Sequence, residues 1–165
     1  MRKSGIRLAL ACALCLSGCL YGFAGGGLPS HIRTVAVLPF DNETPASTLQ
    51  SELHDRLTRE IESRLGVRSA GEGSANAIVR GRIRRYEADI PASYSADPAR
   101  SNTAQRRLEI VVDIEIIDQT TGRALWSRSG LRAEATYDER NEERGRERAV
   151  EQIVNDVIAG AQSQW

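Results

Sequence analysis

The chain has 165 residues, with 22 basic and 22 acidic side chains and no formal net charge. That length holds one small domain around one core, and the lack of a basic excess argues against a general nucleic-acid binder. All three cysteines fall within the first nineteen residues, so no disulfide framework is available to the rest of the chain.

The opening stretch reads as a bacterial export signal. Arg2, Lys3 and Arg7 precede an apolar run from Leu8 to Leu16, and Leu16-Ser17-Gly18-Cys19 follows. A charged region, a short apolar region and a small-residue cleavage site are the parts of such a signal. The apolar run is too short to span a bilayer. An aliphatic residue, two small residues and a cysteine make a lipobox. The expected events are diacylglycerol attachment to the Cys19 sulfur, cleavage before Cys19, and acylation of the new amino terminus. Two or three acyl chains on one residue make an effectively permanent anchor. Residues 1–18 are then a signal peptide that takes Cys12 and Cys15 with it, so that pair serves neither redox chemistry nor zinc. Losing Arg2, Lys3 and Arg7 leaves 19 basic against 22 acidic residues, a mature charge of −3, with every remaining cation an arginine. Leu20, not aspartate, follows the cysteine, a pattern that resembles lipoproteins passed on to the outer membrane.

Residues 19–31 are expected to be a lipidated, glycine-rich tether, within which Tyr21, Phe23 and Leu28 can dock on a partner. The domain proper is expected over 32–165. Thr34 to Phe40 reads as a buried strand closed by Pro39, and Asp41 to Pro45 as turn chemistry. A helix is expected from Ser47, capped by the Ser47 hydroxyl with Gln50 reaching back. Leu49, Leu53, Leu57, Ile61 and Leu65 form its apolar stripe, and Gly66 stops it. Burial of each aliphatic contributes roughly 1.5–3 kcal/mol. Ordering the backbone costs roughly 1–2 kcal/mol per residue, so the helix needs a sheet to lie on.

Residues 67–76 read as a loop. Its Gly71-Glu-Gly73-Ser74 lacks the lysine and helix of a phosphate loop. Ala77 to Ile90 alternates as a strand, with Val79, Gly81 and Ile83 on one face and Arg80, Arg82 and Arg84 on the other. A polar loop runs from Pro91 to Gln105. Leu108 to Ile116 alternates again, with Glu109, Asp113 and Glu115 outward. Asp118 to Arg123 is a hairpin turn. The return strand, Ala124 to Tyr137, places Leu125, Leu131, Ala133 and Ala135 inward and Trp126, Arg128, Arg132 and Glu134 outward. After a charged stretch with a Glu142–Arg146 helical pair, a second apolar stripe runs from Ala149 to Ala161. The expected fold is α+β: order β-α-β-β-β-α, two amphipathic helices on one face of a mixed four-stranded sheet.

No enzyme is expected. His31 and His54 read as solvated surface residues, and neither a zinc motif nor a nucleophile elbow is present. The arginine row Arg80, Arg82, Arg84, with Arg85 beside it, has two readings. Arginine forks suit phosphate groups; equally, the row can pair with Glu109, Asp113 and Glu115 as a cross-strand ladder, the reading favoured here. Arg100, Arg106 and Arg107 have no such obvious partners and are candidate anion contacts.

Taken together, Cys19 with Tyr21-Gly22-Phe23, Leu28-Pro29, Ile32 to Phe40, Asn42 and Thr44, the leucine helix, Ala77 to Gly81, the Asp118/Thr121-Gly122 hairpin and the closing helix resemble the LPS-assembly lipoprotein family LptE. Family members commonly carry Cys-Gly-Tyr; here Leu20 intervenes. The resemblance implies a lipoprotein on the periplasmic face of the outer membrane that plugs the LptD β-barrel, assists its assembly and binds lipopolysaccharide through basic residues. It implies no nucleic acid, and no cofactor beyond the covalent lipid. A polar sheet face suits a barrel lumen, which is itself polar. The Val35 to Phe40 strand and following helix also resemble curli-secretion lipoproteins and activators of cell-wall synthases, which is the alternative reading.

Overall fold

The computed structural model describes residues 27–91 and 105–163. The expected signal peptide, Cys19, most of the expected tether and Arg100 lie outside the described residues. Strands β1 (Thr34–Val37), β2 (Asp41–Asn42) and β3 (Arg68–Ser69), helix α1 (Ser47–Leu65), the long strands β4 (Ala77–Pro91), β5 (Gln105–Asp118) and β6 (Ala124–Asp138), and helix α2 (Glu142–Gln162) follow in chain order. The sheet runs β3-β1-β4-β5-β6, with β2 also paired to β4. Contacts to β1, β2 and β3 are parallel, and β4-β5-β6 is an antiparallel meander. Both helices pack on the same mixed sheet and against each other, which is the expected α+β architecture.

Two short strands widen the expected four-stranded sheet to six. Pro39 interrupts the first strand rather than ending it, because Asp41 and Asn42 rejoin β4 opposite Arg82 and Ile83. Arg68 and Ser69, expected in a loop, pair with Thr34 and Val35. Two residues carry no periodicity, so neither strand leaves a sequence signal.

Helix α1 buries Leu49, Leu53, Leu57 and Ile61, while Leu65 is only partly covered. Gly66 ends it in the left-handed conformation, φ 67°. Ser47 is the first helical residue and not the cap; Ala46 holds that position without a side-chain bond. Asn42 organises the entry instead. Its Oδ1 accepts from the Thr44 backbone N–H (3.0 Å) and hydroxyl (2.8 Å), and its Nδ2 donates to the Ala46 carbonyl (2.9 Å). An Asx turn has taken over the role of the cap.

Helix α2 buries the whole stripe from Ala149 to Ala161 as well as Gly145. Trp126 does not point outward. It pairs across from the buried Ile116 and lies against Gly160 of α2, where a Cβ would collide with the indole. Bulges flanking the stretch between Ile117 and Val112 shift the alternation of β6, which is why simple period-two counting misplaced the tryptophan.

Strand β6 carries a bulge at Ser129 and Gly130, where Gly130 takes φ 65°. There Asp113 Oδ1 accepts from the Gly130 backbone N–H and the Ser129 hydroxyl, both at 2.8 Å. Further along, Arg148 donates to the Thr136 carbonyl at 2.6 Å.

Candidate functional site

Both helices cover one side of the sheet, and the other side carries charge. Outward positions of three antiparallel strands place arginines opposite carboxylates, as cross-strand pairing requires. Arg80 donates to Glu115 at 2.6 Å, and Arg84 to Asp113 at 2.8 Å. Glu43, just past β2, bridges Arg82 (3.3 Å) and Arg84 (3.2 Å). Of the two readings of the arginine row, the geometry is that of the ladder.

Further along the face, Glu87, Glu109 and Glu134 stand directly opposite one another on adjacent strands. Three like charges in register repel, and arginines interleave to offset them. Arg85 reaches Glu87 and Glu109, Arg132 reaches Glu109 and Glu134, and Arg107 reaches Glu134 at 3.4 Å. Glu109 sits at the centre, 8% exposed.

Arg106 and Arg107 are therefore not without partners. Arg106 pairs with Glu139 at 2.9 Å and Arg107 with Glu134. The long antiparallel strands bring these acids across from residues roughly thirty positions earlier, and spacing along the chain did not reveal it. The structure keeps Arg106 and Arg107 away from Arg80 and Arg82, at the opposite end of β5. A shallow cleft of about 660 Å³ opens on the charged face beside Leu38, Arg80, Arg82, Ser127 and Arg128.

Electrostatics follow the bonding. Asp113 is held below the usual carboxylate range, first by the Gly130 N–H and Ser129 hydroxyl and then by Arg84. Arg84 is raised in turn, chiefly by its hydrogen bond to Asp113. Arg106 is raised by Glu139.

His31 is not simply solvated. Its Nε2 lies 3.0 Å from Oδ2 of Asp118, which is 2% exposed. Asp118 also accepts from the Thr120 N–H and the Thr121 hydroxyl, each at 2.8 Å. His54 is half-buried on α1. Among the described residues no group of three or more His, Cys, Asp or Glu side chains could hold a metal ion. No described helix is long and apolar enough to cross a membrane.

The family model described as lipopolysaccharide-assembly, LptE, matches residues 32–158. The chain belongs to the LptE family. Membership makes it a lipopolysaccharide-assembly lipoprotein, and the family is non-catalytic. No curated protein matches the chain. Several solved structures share the LptE-family fold seen here. The PelC dodecamer from Paraburkholderia phytofirmans aligns with TM-score 0.56 at 15% identity, over 84% of this chain and 95% of that one. A Xanthomonas campestris protein gives TM-score 0.59 at 12% identity, over 84% and 90%. The uncharacterized lipoprotein B from Nitrosomonas europaea gives 0.51 at 16%, over 85% and 90%. Identities this low establish a common fold and nothing further.

Proposed function

We propose that this chain is an outer-membrane lipoprotein, anchored at Cys19 on the periplasmic face, that plugs and helps assemble the LptD β-barrel and binds lipopolysaccharide. One observation carries the plug reading within the family: a broad sheet face that no described helix covers, tiled with alternating arginine and carboxylate groups. Such a face is wrong for a hydrophobic core and right for the polar wall of a barrel lumen. Its ion pairs lie at the surface, where each is worth about 0–1 kcal/mol. Charge-assisted bonds from an arginine fork to a phosphate are worth about 1.5–3 kcal/mol. Pairing therefore does not bar Arg80, Arg82, Arg84, Arg106 or Arg107 from exchanging a carboxylate for a lipopolysaccharide phosphate; Arg100 remains a candidate on sequence alone.

Affinity isolation of the lipidated protein from solubilised outer membrane tests the reading. A stoichiometric large β-barrel is the expected partner. A cell-wall synthase or a curli-type secretion channel in its place would overturn the assignment. For the ligand, Arg106→Glu with Arg107→Glu is expected to weaken lipopolysaccharide binding most at low salt while the domain stays folded. Unchanged affinity would remove both residues from the contact.

A further inference from the structure

The root of the tether is fastened to the domain. Leu28 packs on the core and Ile32 is buried. His31 is tied to Asp118 at the base of the 118–123 hairpin. Asn76 Oδ1 accepts from the backbone N–H groups of Arg33 (3.0 Å) and Thr34 (3.1 Å) and from the Thr34 hydroxyl. The chain therefore enters at one defined end of the sheet, where β1, β3 and β4 begin and β5 ends.

A cleft of about 550 Å³ opens at that point, between residues 27–33 and the turn from Leu65 to Arg68. Arg33 and Arg68 both line it, and the Arg68 N–H bonds the Arg33 carbonyl at 3.0 Å. Arg123 stands exposed on the hairpin that His31 grips. Among the described residues none of these three guanidinium groups pairs with a carboxylate, unlike Arg80, Arg82, Arg84, Arg106, Arg107 and Arg132 of the charged sheet face. Two exposed acids share this end: Glu62, which accepts the Ser69 N–H at 2.9 Å, and Glu72.

We propose that this end of the domain is a headgroup-facing surface, with Arg33 and Arg68 at the cleft and Arg123 beside it contacting phosphates of anionic phospholipids in the leaflet that holds the anchor. The inference rests on lipid attachment at Cys19. Only eight residue steps separate Cys19 from Gly27, a reach of at most roughly 28 Å even at full extension. The fastened root turns that short leash into an orientation, because the end that is tied is the end held near the membrane. Anionic lipid surfaces attract basic side chains within about a Debye length, and the guanidinium fork matches a phosphate. In a barrel-bound protein the same end would lie level with the headgroups at the rim.

Arginine footprinting tests this. The chain from Cys19, whose only thiol is Cys19 itself, is coupled to a maleimide phospholipid in vesicles of phosphatidylcholine, with or without phosphatidylglycerol. Phenylglyoxal modification of each arginine is then read by mass spectrometry. Supplying the anchor chemically keeps the result independent of cellular lipidation, which palmitate labelling tests separately. The expected result is at least three-fold slower modification of Arg33, Arg68 and Arg123 on the anionic vesicles alone, with exposed Arg59 and Arg128 unchanged. Equal rates on both vesicles, or uniform protection of every arginine, would overturn the proposal. Protection produced by soluble lipopolysaccharide without vesicles would also overturn it, and would assign the cleft to that ligand.

Discussion

Asp118 shows how one side chain can fasten two distant parts of a chain. Its carboxylate accepts from His31, Thr120 and Thr121 while almost wholly buried. Its pKa is held below the ordinary value, first by the His31 bond and then by Thr121. A carboxylate whose folded pKa is depressed contributes stability above its unfolded pKa, and loses that contribution as pH falls toward the folded value. Asp118→Asn is expected to lower the Tm at pH 7 and to flatten the acid limb that begins below about pH 4. Thermal denaturation across pH 3–7 checks this, and an equal Tm loss at every pH would contradict it. Asp89 is held in the left-handed region, φ 63°, without being glycine. Its N–H donates to the Tyr137 hydroxyl at 3.0 Å, and that hydroxyl returns a bond to Oδ1 at 3.2 Å. Burial pushes the Tyr137 hydroxyl pKa up. At Gly160 the constraint is space: a methyl group would strike the Trp126 ring. Gly160→Ala is expected to cost about 1–3 kcal/mol, with a changed near-UV signal as the indole shifts; full native stability would show that α2 gives way freely. None of these three could be found from spacing, because each depends on residues brought together across dozens of positions.

At the scale of elements, apolar and ionic faces carry very different energies. Leu53 is fully buried in the α1 stripe, so Leu53→Ala is expected to destabilise by about 2–5 kcal/mol. Arg80 makes a short pair with Glu115 yet is 59% exposed, so Arg80→Ala is expected to cost about 0–1 kcal/mol. Urea denaturation of the two variants separates them, and comparable losses would mean that the charged face stabilises the fold rather than serving a partner. Both helices and the three long strands were legible in the sequence because each repeats its period over many residues. What escaped was short or non-local. The Asx turn at Asn42 replaced the expected Ser47 cap, the two-residue strands joined the sheet through their partners' register, and bulges shifted the alternation of β6. The ladder was legible as a pattern of alternating charge, but Glu43 was not. It reaches Arg82 and Arg84 only because β2 lies parallel to β4. Polar links run on the helix side as well: Arg146 of α2 donates to Glu52 of α1 at 2.8 Å, and Tyr86 of β4 donates to Glu142 of α2 at 2.6 Å. Burial and that bond push the Tyr86 hydroxyl up to about 12.

The whole molecule has two unlike surfaces and two unlike ends. One side of the sheet is closed by helices, and the other is an open mosaic of charge. One end holds the fastened tether root with Arg33, Arg68 and Arg123, and the other gathers Arg106, Glu139 and the start of α2. The proposed anchor is tested on the chain as a unit: Cys19→Ser is expected to abolish lipid attachment and leave the domain fold intact. Palmitate labelling with circular dichroism of the variant checks both, and normal labelling would sink the anchor assignment. The bulge in β6 at Ser129 and Gly130 matters at this scale too. A strand of 15 residues with no described strand paired on its outer side is a template on which a second extended chain can crystallise, copy after copy. The bulge that Asp113 pins, with the arginine bonded to the Thr136 carbonyl, interrupts the regular run of edge groups on that template. Bulges of this kind oppose edge-to-edge pairing between copies of a chain.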